Sequence, residues 1–231
     1  MKDLPVLTAL RNADALRRYG KEAEPLRPAL RDLLGNPEVL TRLTAAELLW
    51  QLDPAEKDAA APVLLDALTA PYSLARVTAA AALCRVDPDN PRSPAALTAA
   101  LADPDPFLRQ EAARAIARVG PDAKALLPAL AALLEDEEAP TRVYAALAVC
   151  KVGQKADKAT AVCAACLKDS PCAQFRLQAA QVLGEIGPEA KDASVPALRD
   201  ALKDRSTVVR FAAAEALRKV DPEAAAKAGV P

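Results

Sequence analysis

A chain of 231 residues with a formal net charge of −1 and 26% charged residues has the balance of an ordinary water-exposed protein. It argues against a dedicated nucleic-acid binder, which would carry a strong basic excess. The chain holds no run of 18 apolar residues to cross a membrane, and Lys2, Asp3, Arg11, Asp14, Arg17 and Arg18 leave no room for a signal-peptide core, so a cytoplasmic setting is expected.

The first elements are predicted as a degenerate opening repeat over about residues 1–20. Gly20 falls where later units stop a helix, Ala9 stands where they carry an arginine, and Asn12-Ala13 where they carry Ala-Ala. A regular unit then recurs. Arginines stand at Arg42, Arg76, Arg109, Arg142, Arg176 and Arg210, separated by 34, 33, 33, 34 and 34 residues, and each is followed three and four positions later by Ala-Ala. A fixed period in the low thirties is the signature of a helical solenoid, in which each repeat buries its apolar face on its neighbours.

The unit around Arg109 shows the pattern. Asp103-Pro104-Asp105-Pro106 is a turn rich in helix-starting residues. A helix is predicted from about Phe107 to Val119, with Leu108, Ala112, Ala113, Ile116 and Val119 at helical spacing, and Gly120-Pro121 stops it. A leucine-rich helix is predicted from about Ala123 to Leu134, with Pro128 inside it. Corresponding stops recur at Asp53-Pro54, Asp87-Pro88, Gly153-Gln154, Gly187-Pro188 and Asp221-Pro222. The last repeat, about residues 205–231, is incomplete and ends in Ala224-Ala225-Ala226-Lys227. The count is seven helices of the arginine type and six of the leucine type.

The recurring Asp-x-x-x-x-x-Arg-x-x-Ala-Ala segment, closed by Gly/Asp-Pro and followed by Pro-Ala-Leu-x-x-x-Leu, resembles the HEAT repeat. More narrowly, it is similar to the short bacterial HEAT-like repeats of the phycobilisome-lyase group. The resemblance implies an all-α, right-handed α-α superhelix of about seven repeats, with residues 1–231 forming one solenoid. It also implies that the arginine-bearing helices line a concave side, and that each arginine joins an Asp-Arg ladder tying adjacent turns. Six positions before the arginines stand Asn36, Asp103, Asp136, Ser170 and Asp204, with Ala70 the exception. A planar guanidinium suits such a bridge, and six equivalent arginines are read as internal ties before they are read as a phosphate site.

Function is expected on the rows that vary between repeats. Positions two, five and nine after each arginine change freely, whereas positions three, four, seven and ten barely do. The candidate partner-binding residues are Arg85, Glu111, Arg114, Arg118, Tyr144, Leu147, Lys151, Gln178 and Gln181. An aromatic ring flanked by guanidinium groups suits an anchor for a protein or peptide. The competing reading is a solvated face with helical ion pairs, Glu111 with Arg114 and Arg118. Trp50 sits eight positions after Arg42, where other repeats carry Cys84, Ala117, Cys150, Gly184 and Arg218, and that row is read as marginal to the core.

Catalysis finds little footing. The chain has no histidine, which removes the usual general base, the usual triad and the commonest metal ligand. No Walker-type loop or GxGxxG turn is present. Cys163-Ala164-Ala165-Cys166, with Cys150 and Cys172 near in sequence, could hold zinc. Yet Cys163 aligns with Leu130 and Cys166 with Leu133, where a cysteine serves as a small hydrophobe. The expectation is a monomeric, non-catalytic scaffold without cofactor or metal. The alternative is an accessory or chaperone-type subunit of an enzyme, such as a bilin-lyase-like protein.

Overall fold

A computed structural model describes residues 24–153 and 157–230. The degenerate repeat read at 1–20 lies outside the described residues. The chain divides into two compact units, the first ending at Ala100 and the second beginning at Leu101. No strand occurs among the described residues.

In the first unit, α1 (Arg27–Leu33) and α2 (Val39–Leu52) pair, as do α3 (Lys57–Ala67) and α4 (Ser73–Val86), and α5 (Arg92–Leu101) runs to the boundary. In the second unit, α6 (Pro106–Val119) is followed by α7 (Leu127–Leu133), α8 (Ala139–Val152), α9 (Asp157–Asp169), α10 (Ala173–Ile186), α11 (Lys191–Ala201), α12 (Thr207–Val220) and the short α13 (Pro222–Lys227). The even-numbered helices carry the recurring arginines. Within each unit, helix pairs stack as in an α-α solenoid.

The invariant Ala-Ala pair explains the stacking. From Ala45 to Ala213 these methyl groups are fully buried, and only Ala214, on the last arginine helix, is partly open. Small side chains let adjacent helices approach closely. The row eight positions after the arginine, read as marginal, is half-buried at Trp50, Ala117, Cys150 and Arg218, and only Cys84 and Gly184 are buried. Gly184 is buried, and a Cβ there would lie 3.1 Å from the Ala216 Cα, so α10 and α12 meet through the missing side chain. Cys84 is likewise buried, and Trp50 is half-buried against the cluster of Leu43, Ala46 and Leu83.

Helix boundaries follow local chemistry. At Gly120 and Gly187 the chain takes φ of 72° and 79°, which favour glycine, and so the arginine helices end there. Where the stop is aspartate, the carboxylate caps the next turn instead, as Asp53 Oδ1 accepts from Ala55 N at 2.9 Å. The leucine helix of the Arg109 unit starts later than predicted. Residues Gly120–Leu126 form a 3-10 segment, and α7 begins at Leu127, which leaves Pro128 in its first turn. A first-turn proline gives up no helical hydrogen bond.

All six arginines brace their own turn. Each sends Nη1 to the backbone carbonyls six and five residues earlier, from Arg42 on Asn36 and Pro37 to Arg210 on Asp204 and Arg205. The acceptors are main-chain oxygens, so Ala70 serves as well as aspartate. Two arginines also reach the next repeat. Arg109 forks onto Asp136 through Nε (2.8 Å) and Nη2 (3.0 Å), and Arg176 onto Asp204 through Nε (2.7 Å) and Nη2 (2.9 Å). These pairs are close to fully buried, with side-chain exposures of 10% and 9%, then 5% and 11%. Asp136 and Asp204 also accept from the amides of Glu138 and Ser206. Burial pushes the Asp136 carboxyl up, but Arg109 and the amide outweigh it and hold it below the usual range. Asp204 is held low chiefly by Arg176.

A second set of ties escaped the sequence reading. A basic residue near the start of a leucine helix pairs with the stop aspartate of the following repeat: Arg27 with Asp53 at 3.1 Å, Lys57 with Asp87 at 2.8 Å, and Lys191 with Asp221 at 3.1 Å. Lysines four residues after the Asp53 and Gly187 stops were the available signal.

Candidate functional site

The second unit places its arginine helices α6, α8, α10 and α12 side by side. Residues on the side of these helices away from the Ala-Ala contacts stay in reach of solvent. Two depressions open there.

The first, about 440 Å³, brings together five of the candidate residues: Arg114 and Arg118 from α6, and Tyr144, Leu147 and Lys151 from α8, with Glu185 of α10 at its border. Arg114 and Arg118 are one helical turn apart, so both project to the same side. Arg114 Nη1 pairs with Glu111 at 3.3 Å, which puts Glu111 on the flank. Lys151 Nζ donates to the Glu185 carbonyl at 2.8 Å and so bridges α8 to α10. Tyr144 is half-buried, and burial is the main reason its hydroxyl titrates above its ordinary value, with Arg114 opposing and Glu111 and Glu185 adding to it. The phenol therefore stays a hydrogen-bond donor at neutral pH.

Leu147 is 5% exposed and forms the floor of the depression. Arg85, in the first unit, is paired. Its Nη2 donates to Glu47 Oε1 at 2.6 Å, and both side chains are 19% exposed, so it links α2 to α4. Gln178 is half-buried on α10 with its Oε1 shielded.

The second depression, about 710 Å³, lies between α10 and α12. It has an apolar character set by Leu177, Val208, Phe211 and Ala212, and it takes in the candidate Gln181 together with Glu185, which borders both depressions. Val208 is 55% and Phe211 67% exposed. Phe211 was not singled out from sequence. The residue directly after the arginine is buried at Leu43, Val77 and Val143, and Phe211 stands open in the same register. A phenylalanine in a chain with only three is the signal that could have found it.

The cysteines sit apart from both depressions. Cys163 and Cys166 are buried and direct their thiols to the carbonyls of Val143 and Phe175. Burial pushes Cys163 well above the thiol range and Cys150 to about 12, the latter helped by Glu189. No group of three or more His, Cys, Asp or Glu side chains arranged for a metal occurs among the described residues. No helix among them is long and apolar enough to cross a membrane.

A family model described as HEAT repeats matches residues 61–151, 93–171 and 160–228. No curated protein matches the chain. Several of the solved structures that are similar illustrate the likeness. An archaeal HEAT-like repeats protein from Thermococcus onnurineus is 15% identical over 95% of this chain and 93% of its own, with a TM-score of 0.47. An engineered protein is 22% identical over 85% and 96%, with a TM-score of 0.46. Human deoxyhypusine hydroxylase, solved in complex with glycerol, is 24% identical over 86% and 75%, with a TM-score of 0.41. Likeness at this level says nothing about activity.

Proposed function

The chain belongs to the HEAT-repeat family, and on that footing we propose that it is a non-catalytic interaction module that receives a protein or peptide on the outward face of its arginine-bearing helices. The observation that carries this reading is the convergence of Arg114, Arg118, Tyr144 and Lys151 around a depression floored by Leu147. Arginine and tyrosine supply large contact surfaces and directed hydrogen bonds, and they dominate the energetics of interfaces. A non-catalytic role draws support from Cys150 and Cys163, whose burial keeps their thiols protonated and unreactive, and from the lack of any histidine in the chain.

Affinity purification from the native cell, read by mass spectrometry, tests the reading. The doubly charge-reversed protein, Arg114→Glu with Arg118→Glu, is expected to lose specific partners while keeping its helical content. An unchanged set of partners would sink the groove as the binding site. The narrower likeness to phycobilisome-lyase repeats supports an accessory-subunit alternative, in which chemistry resides in the partner. A pigment that co-purifies with the wild-type protein would favour it.

A further inference from the structure

The two depressions of the second unit differ in chemistry and share a border. The first gathers three cations, Arg114, Arg118 and Lys151, against two carboxylates, Glu185 at its border and Glu111 on its flank, which leaves a positive excess. The second offers Phe211 and Val208 to solvent beside the half-buried Leu177. Gln178 and Gln181 lie on α10, the helix between them, where an amide such as that of the exposed Gln181 can donate to and accept from a peptide backbone. An occupant of the whole cleft must therefore be acidic at one end, apolar at the other, and polar between.

We propose that this face binds one extended peptide segment carrying an acidic block, held by Arg114 and Arg118, and an apolar block, held by Phe211 and Val208. The proposal rests on the interaction-module reading and names its partner. The spacing follows from helix packing. The first depression lies between α6 and α8 and the second between α10 and α12, two helix spacings on, or about 20 Å. An extended chain covers that in about six residues. Nucleic acid fits less well, because Glu111, Glu185 and Glu215 border the cleft and its second half offers bases and phosphates no cation except Lys219.

The test is selection from a phage-displayed library of random peptides about 16 residues long, enough to span the cleft. Recovered sequences are then synthesised and their affinities measured by fluorescence anisotropy. The expected winners carry Asp or Glu clustered about six residues from Leu, Ile or Phe. Arg114→Glu with Arg118→Glu should weaken them at least about tenfold, and Phe211→Ser about fivefold. The conservative pair Arg114→Lys with Arg118→Lys should retain most of the binding. All three sites are exposed, and unchanged thermal melting would verify that each variant is folded. Winners without an acidic block, or winners indifferent to both sets of substitutions, overturn this inference and leave the interaction module standing. Failure to enrich any peptide overturns this inference, and the partner purification described above decides the interaction module. Displacement of the winning peptide by equimolar oligothymidylate would also overturn it, in favour of a nucleic-acid ligand.

Discussion

Within the second unit, the turns that follow Arg109 and Arg176 can be set against the turn that follows Arg142. All three arginines brace their own turn through the same two backbone carbonyls. Arg109 and Arg176 also fork onto an aspartate of the next repeat, whereas the turn after Arg142 offers Ser170, and among the described residues Arg142 forms no ion pair with it. The helices differ accordingly. α8 and α10 pack less extensively than α6 with α8 or α10 with α12. One repeated letter thus performs a constant local task and an optional one between repeats, and the second depends on a side chain some 27 or 28 residues away.

The largest expected effect is removal of a forked arginine. Arg109→Ala strips a buried aspartate of its partner and should cost about 3 kcal/mol. Arg142→Ala loses hydrogen bonds to carbonyls and should cost about 1 kcal/mol. Equal losses in urea denaturation would erase the distinction between the two kinds of turn.

Acid should distinguish them next. Asp136 and Asp204 have folded-state values below their unfolded ones, so each contributes stability that is fully present above the unfolded value near about 4 and is lost as pH falls through the folded value. Asp136→Asn with Asp204→Asn should flatten the pH dependence of stability below about pH 4, with little change in its slope above. A slope unaltered by the double substitution would place the acid sensitivity elsewhere.

A smaller gain should follow from supplying the missing carboxylate. Ser170→Asp should add about 1 kcal/mol, and the gain should vanish in an Arg142→Lys background, which lacks the fork. At the bottom of the scale, Lys158→Ala should leave thermal stability unchanged within error, because the Lys158–Glu135 pair lies in open solvent.

The periodic part of the molecule was legible in the sequence. Arginine spacing and the Ala-Ala register located every arginine helix in the described residues, because helix packing imposes small residues at fixed positions. The carbonyl acceptors were not legible, since main-chain oxygens leave no letter. Ala70 looked like an exception only while the acceptor was taken to be a side chain. The first depression was readable because its residues lie on rows that vary. How deeply Leu147 is covered was not legible, because that depends on how closely adjacent helices approach. Phe211 was missed because its row is buried at Leu43, Val77 and Val143, and only the stacking reveals that this member stands open.

The lysine bridge between α8 and α10 gains a mechanical meaning from its position. Lys151 and Glu185 sit one residue before the C-terminal ends of their helices, while the end without a latch is the turn at Ser170. A load that separates these helices meets the lysine bridge at one end and no forked arginine at the other. The forked aspartates make α6 with α8, and α10 with α12, stiff blocks on either side of that bridge. A swing about it would alter the distance between the two depressions while keeping Arg114, Arg118 and Tyr144 in one block and Val208 and Phe211 in the other, with the shared Glu185 at the pivot, so peptides whose two blocks are spaced a little more or less than six residues apart should still fit.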